Sequence, residues 1–299
     1  MILYALSRIF SIMTNWSERL KKTKSFLKND SKGLLIDGIE SGFRGDYEQA
    51  IEYFDKALYG IVGTTETSIN ANFYKAVALV ELDKHDEAIE IFKKILKHDK
   101  DDDAAWQNLG YTYNHIENYV DAKKCFENAI KLDPEDVISL IGKAEACFEL
   151  EENNVALDIT TKILEMEPDN VDTLFLKCEI LIEMNRPEEV FEIIKNIDDE
   201  EDLIPEKKSM EAIVHGTLGN NVKALECINE AIQYESDDEH SWWNKACYLS
   251  LLDRKEEAND ALLISTSIEP KNLIDLKDEK DFDNIKNTER FQKLFNQSV

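Results

Sequence analysis

The chain has 299 residues, with 35 lysines and arginines against 62 aspartates and glutamates, a formal charge of −27. An acidic excess of that size argues against wrapping DNA or RNA, where neutralised phosphates supply most of the affinity, whereas an apolar content of 43% is enough for a folded core. Only 10 glycines and 5 prolines punctuate it, so a mostly helical chain is expected.

The N-terminal segment, residues 1–30, stands apart. Ile2, Leu6, Ile9, Met13, Trp16, Leu20 and Leu27 recur at three- and four-residue steps, with Thr23 in the one missing place. That spacing predicts an amphipathic helix. Residues 1–32 hold seven basic and two acidic residues, a net charge of +5 on an otherwise acidic chain. No apolar run reaches the roughly 18–20 residues that a membrane span needs. There is no basic region ahead of the first apolar stretch and no clear small-residue cleavage site, which argues against a signal peptide. Three readings stay open: a cap docked on the following array, an element that binds an acidic membrane surface through residues 1–28, or a self-association stripe. Translation from Met13 would remove much of the stripe.

From residue 31 a repeat takes over. An alanine followed four positions later by a phenylalanine occurs at Ala50/Phe54, Ala88/Phe92 and Ala122/Phe126, and equivalents follow at Ala156, Val190, Ala224 and Ala258. The first step is 38 residues and the next five are 34 each. A constant period of this length is the mark of a stacked repeat. Counted in 34-residue units, the eighth position is small in all seven: Gly38, Ala76, Gly110, Ala144, Cys178, Ala212 and Ala246. Two short antiparallel helices approach closely only where small side chains occupy their crossing point. Pro134, Pro168 and Pro270 follow the second helix of their units and stop it.

The third unit carries Trp106, Leu109, Gly110, Tyr113, Ala122, Phe126, Ala129 and Pro134. With the period, that pattern resembles the tetratricopeptide repeat family. The resemblance implies an all-α fold, a right-handed α-solenoid of antiparallel helix pairs. Its units are 31–64, 69–102, 103–136, 137–170, 171–204, 205–238 and 239–272. Thr65 to Ser68 are expected to lengthen the loop after the first. Lys208, Glu211 and His215 stand at positions usually apolar or aromatic, which leaves room for a frayed or displaced helix at 205–216. The acidic run Asp198 to Asp202 is expected to form a solvated loop. Residues 273–299, with Phe282, Phe291, Leu294 and Phe295, are expected to cap the last unit.

Catalytic and cofactor patterns are missing: no Gly-rich phosphate loop, HExxH, GxSxG or dinucleotide fingerprint occurs. No cofactor and no metal is therefore expected, and the chain is not read as an enzyme. Asp99, Asp101 and Asp103 alternate like the start of a calcium loop, but Ala104 stands where its glycine is required and Gly110 where its glutamate would close it. Helix capping by Asp102 and Asp103 accounts for them. The five cysteines form no CxxC pair and read as free thiols of a cytoplasmic protein.

In the resembling family the first helix of each unit lines a concave groove. Mapped onto this chain, those positions are Leu35 and Ile39, Phe73 and Val77, Gln107, Asn108 and Tyr111, Ile141, Glu145 and Phe148, Phe175 and Glu179, and Trp243 and Asn244. No unit carries the lysine–asparagine pair that clamps a terminal carboxylate in some members, and only Asn108 and Asn244 fit an asparagine ladder. The expected function is thus a protein–protein interaction scaffold whose groove takes a basic or amphipathic segment of another protein, with a membrane-peripheral adaptor as the alternative and no nucleic acid as partner.

Overall fold

A computed structural model of the chain describes residues 30–59, 65–197, 203–270, 276 and 280–296. The expectations for residues 1–29 and for the run 198–202 lie outside the described residues. Among the described residues there are fifteen α-helices and no strand. The chain is an all-α solenoid of helix pairs, divided into two compact units, Met1–Lys177 and Cys178–Val299.

The first compact unit contains α1 (Asp30–Phe43), α2 (Tyr47–Leu58), α3 (Glu66–Glu81), α4 (His85–His98), α5 (Asp103–His115), α6 (Tyr119–Leu132), α7 (Val137–Glu149) and α8 (Asn153–Met166). Helix α9 (Val171–Glu183) carries the division. The second contains α10 (Pro187–Ile194), α11 (Ile204–Thr217), α12 (Asn221–Tyr234), α13 (Glu239–Leu251), α14 (Lys255–Ile268), a 3₁₀ turn at Lys280–Phe282 and α15 (Glu289–Phe295).

Each pair is built on two buried columns. The alanines at the twentieth position, with Val190 in the fifth repeat, have no exposed surface. Four residues on, Phe54, Phe92, Phe126, Thr160, Ile194, Ile228 and Leu262 are also buried. These side chains lie against the small residues of the partner helix, and the fit is tight. A Cβ on Gly38 would come within 2.5 Å of the Phe54 ring, and one on Gly110 within 2.9 Å of Phe126. Rings close both kinds of contact: Phe54 stacks on Tyr74 of the next repeat at 6.1 Å, and Phe73 stands edge-on to Phe92 of its own repeat at 5.8 Å.

The turn within each pair has one fixed feature. Gly45, Asp83, Glu117, Glu151, Asn185, Gly219 and Asp253 all have positive φ, between 55° and 81°. All occupy the fifteenth position of their units. One left-handed residue reverses the chain after each first helix, and five of the seven are not glycine.

Two expectations are corrected. Glu66, Thr67 and Ser68 are not loop but the first turn of α3, because Thr65 and Ser68 form a reciprocal capping box that satisfies free N–H groups and starts the helix early. Nor is the segment 205–216 frayed: α11 runs unbroken through it. The Lys208 ammonium lies 2.9 Å from Glu211 and 3.1 Å from Glu230, so the polar side chains pair with one another instead of disrupting the helix.

At the C-terminal end, Phe282, Ile285, Phe291 and Leu294 are buried against Ala246, Leu249, Ala258 and Leu262 of the last pair. Ser250 Oγ donates to the Asp281 carbonyl at 2.6 Å, and Asn284 Nδ2 donates to the Ser250 carbonyl at 2.9 Å. Those bonds fix the closing segment on the apolar end that an open array would expose.

Candidate interaction surface

The first helices of the repeats carry every side chain that the sequence assigned to a groove. Within the first compact unit, Phe73, Val77, Ile141 and Phe175 are buried, as are Leu35 and Ile39. Contrary to the expectation from their positions, these side chains are not groove surface. The reason is positional. The fifth position of the first five units (Leu35, Phe73, Gln107, Ile141, Phe175) and the ninth of the first two (Ile39, Val77) are buried in the packing of the array, so these side chains are not free to meet a partner. Gln107 shows this with polar atoms: its Nε2 donates to Asp136 Oδ2 at 2.8 Å and to Ser139 Oγ at 3.4 Å. Tyr111 does the same from the ninth position, where its hydroxyl donates to the Ile138 carbonyl at 2.8 Å and its ring stands edge-on to Phe126 at 4.9 Å.

Trp243 in the second compact unit follows the same rule. Its ring meets Phe282 of the closing segment edge-on at 5.0 Å, so the cap takes the place that a further repeat would occupy. Of the assigned residues, Asn108, Tyr111, Glu145 and Phe148 keep partial exposure on α5 and α7, as Trp243 and Asn244 do on α13, and Glu179 is exposed on α9. Asn108 uses its amide locally, donating to the Ala104 carbonyl at 2.8 Å.

Capping accounts for the aspartates ahead of the first helices. Asp102 Oδ1 accepts from Ala105 N at 2.9 Å, and Asp238 Oδ2 accepts from Ser241 N at 2.9 Å. Among the described residues no cluster of three His, Cys, Asp or Glu could hold a metal ion, and no helix is long and apolar enough to cross a membrane.

A second recurring feature lies at the turns. Burial, and then the neighbouring Glu81 carboxylate, raise the Tyr47 hydroxyl above its usual range. Burial, and then Glu149 of the next repeat, do the same to Tyr119. Between those two junctions the corresponding residues are His85 and His115, whose ring centroids lie 5.2 Å apart with the planes tilted by 50°. In the second compact unit, burial lifts the Glu206 carboxyl to about 7, with Glu235 and Asp238 adding to the shift.

Residues 61–182 match the family model of the tetratricopeptide repeat protein 21 C-terminal ARM domain, and residues 42–59 match a tetratricopeptide repeat model. The chain is 26% identical over 152 residues to sperm-associated antigen 1 of Rattus norvegicus, a match covering 51% of this chain and 16% of that protein. It is 27% identical over 143 residues to a TPR repeat-containing protein of Methanocaldococcus jannaschii, covering 46% of this chain and 24% of that one. The chain thus spans less than a quarter of the length of either relative. The fold is similar to the crystal structure of a tetratricopeptide repeat protein from Parabacteroides merdae, with a TM-score of 0.73 at 14% identity over 90% of this chain and 98% of the other.

Proposed function

The chain belongs to the tetratricopeptide repeat family, and from that premise we propose that it is a non-enzymatic, cytoplasmic scaffold that holds a basic or amphipathic segment of another protein along its first helices. The observation that carries this reading is the half-exposed group Asn108, Tyr111, Glu145 and Phe148 on α5 and α7, within a chain of formal charge −27. An aromatic surface beside carboxylates suits a segment that presents lysines or arginines next to apolar anchors. A fixed field of this sign also speeds the encounter with such a partner. The test is a photo-crosslinking side chain placed at Asn108 or at Phe148, with Val222 as the control position. Adducts to one partner from the first two positions, weakened by Glu145→Lys, support the reading. Adducts from Val222 alone would sink it.

The alternative is a membrane-peripheral adaptor, favoured by the basic apolar stripe of residues 1–28. Flotation of the full chain with anionic vesicles tests it, and charge reversal at Lys21, Lys22 and Lys24 should abolish flotation if the stripe is the anchor.

A further inference from the structure

The junction between the second and third repeats differs from its neighbours in chemistry. At three successive junctions the seventeenth residue of one unit meets the thirteenth of the next: Tyr47 with Glu81, His85 with His115, and Tyr119 with Glu149. In the first and last of these the tyrosine hydroxyl donates to the carboxylate, so donor and acceptor satisfy each other. The middle junction holds two imidazoles instead. His85 Nδ1 and His115 Nε2 are buried atoms that make no hydrogen bond, which costs stability until both find a partner. Their ring centroids lie 5.2 Å apart with the planes tilted by 50°. Asp83 Oδ1 stands 3.6 Å from the other nitrogen of His85, Nε2. A carboxylate there favours the tautomer protonated on Nε2 and leaves the Nδ1 lone pair free.

We propose that His85 and His115 bind a divalent transition-metal ion of the zinc class, which ties the second repeat to the third. Imidazole is a ligand for zinc, copper and nickel, whereas magnesium and calcium take oxygen. The spacing fits. With zinc–nitrogen bonds of about 2.0–2.1 Å and tetrahedral angles, two imidazoles on one ion have ring centres about 5 Å apart. The two rings already sit at that separation, so a small rotation of the rings, without movement of the helices, brings both lone pairs onto one ion. Both side chains are only partly buried, so the ion enters from solvent and waters complete its shell. The surroundings favour a cation, with Asp83 beside one ring and a formal charge of −27 on the chain. No other junction in the array places histidine at both positions. The site uses none of the side chains assigned to partner binding, so it stands apart from that reading.

Calorimetric titration of the full chain with zinc chloride at about pH 7.5, above the ordinary imidazole range, tests it, with thermal unfolding in parallel. Zinc should bind and raise the Tm, EDTA should reverse the rise, and magnesium should not reproduce it. Affinity at this site should fall about tenfold or more in His85→Gln and again in His115→Gln, and the rise in Tm should go with it. The double change His85→Tyr, His115→Glu gives this junction the hydrogen-bonded pair of its neighbours. That variant should melt cooperatively, at or above the Tm of the zinc-free parent, and gain nothing from zinc, which separates loss of the site from loss of the fold. Four outcomes overturn the proposal: no heat of zinc binding by the parent, zinc affinity unchanged in both single variants, a rise in Tm with zinc that persists in the double variant, or an equal rise with magnesium.

Discussion

Phe126 occupies the space that a side chain at Gly142 would need. A Cβ on Gly142 would stand 2.3 Å from the Phe126 ring, so one ring seals the crossing within its own repeat, at Gly110, and the junction with the next. Gly142→Ala must displace a fully buried ring, and overpacking of that kind costs about 1–3 kcal/mol. Gly33→Ala is the control, since a Cβ there meets nothing within 4 Å. In a helix that change should stabilise by about 0.5–1 kcal/mol. Urea or thermal unfolding reads both. Equal effects at the two glycines would show that Phe126 is not the constraint.

The left-handed turn residues allow a test of opposite sign. Glu117 and Glu151 hold φ near 59° and 58°, where an L side chain is strained and glycine is not. Replacing either with glycine should raise stability by about 0.5–1 kcal/mol, the relief of strain exceeding the entropy that glycine adds to the unfolded chain. Gly219→Ala, at φ 74°, should lower stability by about 1 kcal/mol. A Tm that falls in Glu117→Gly would contradict the account.

The pair structure was legible in the sequence because a 34-residue period and a column of small residues state it directly. Ala50, Ala88 and Ala122 cannot be exchanged for larger residues without separating two helices, so chemistry at one position reports geometry. Two things were not legible. The direction of a first-helix side chain depends on how each pair is rotated against the next, and no periodicity encodes that rotation. Phe73 and Ile141 look like groove residues by position, yet they are spent on the stack. The start of α3 was hidden for another reason: a serine, not a glutamate, closes its capping box, and the usual sequence signature misses it.

Acidity should stabilise the second compact unit through Glu206. Burial raises its carboxyl to about 7 in the folded chain, from the ordinary 4.5 of a glutamate. The folded state therefore holds this proton where the unfolded chain has lost it. The resulting cost is absent below about pH 4.5, grows as pH rises and is complete above about pH 7. Glu206→Gln removes the ionisation, so its melting temperature should exceed the parent's at pH 8 and approach it at pH 4.5. An identical dependence in both proteins would exclude Glu206 as the titrating group.

Burial also silences the thiols. It pushes Cys125 up to about 12 and Cys147 up to about 11, so little thiolate exists at neutral pH. Neither should react with a thiol reagent while the protein is folded, and both should label at the rate of unfolding in urea. Fast labelling of Cys125 in the native state would show an opening of the third repeat.

Tyr111 separates stacking from recognition. Its hydroxyl bonds the Ile138 carbonyl while its ring rests edge-on to Phe126, so the residue ties the third repeat to the fourth. Tyr111→Phe keeps the ring contact and removes the donor, and should cost about 0.5–1.5 kcal/mol of stability. Tyr111→Ala also removes the ring and should cost more. A partner that presses on the exposed part of the ring should bind the Phe variant about as well as the parent and dissociate faster from the Ala variant, with affinity weakened by more than about 1 kcal/mol. Glu145→Lys acts on the other half of the rate: it should slow association and reduce its salt dependence, because an attractive charge is replaced by a repulsive one. Surface plasmon resonance at two ionic strengths, with circular dichroism as the control for folding, distinguishes these effects. Unchanged association and dissociation in both Tyr111→Ala and Glu145→Lys would remove the first helices from the interface.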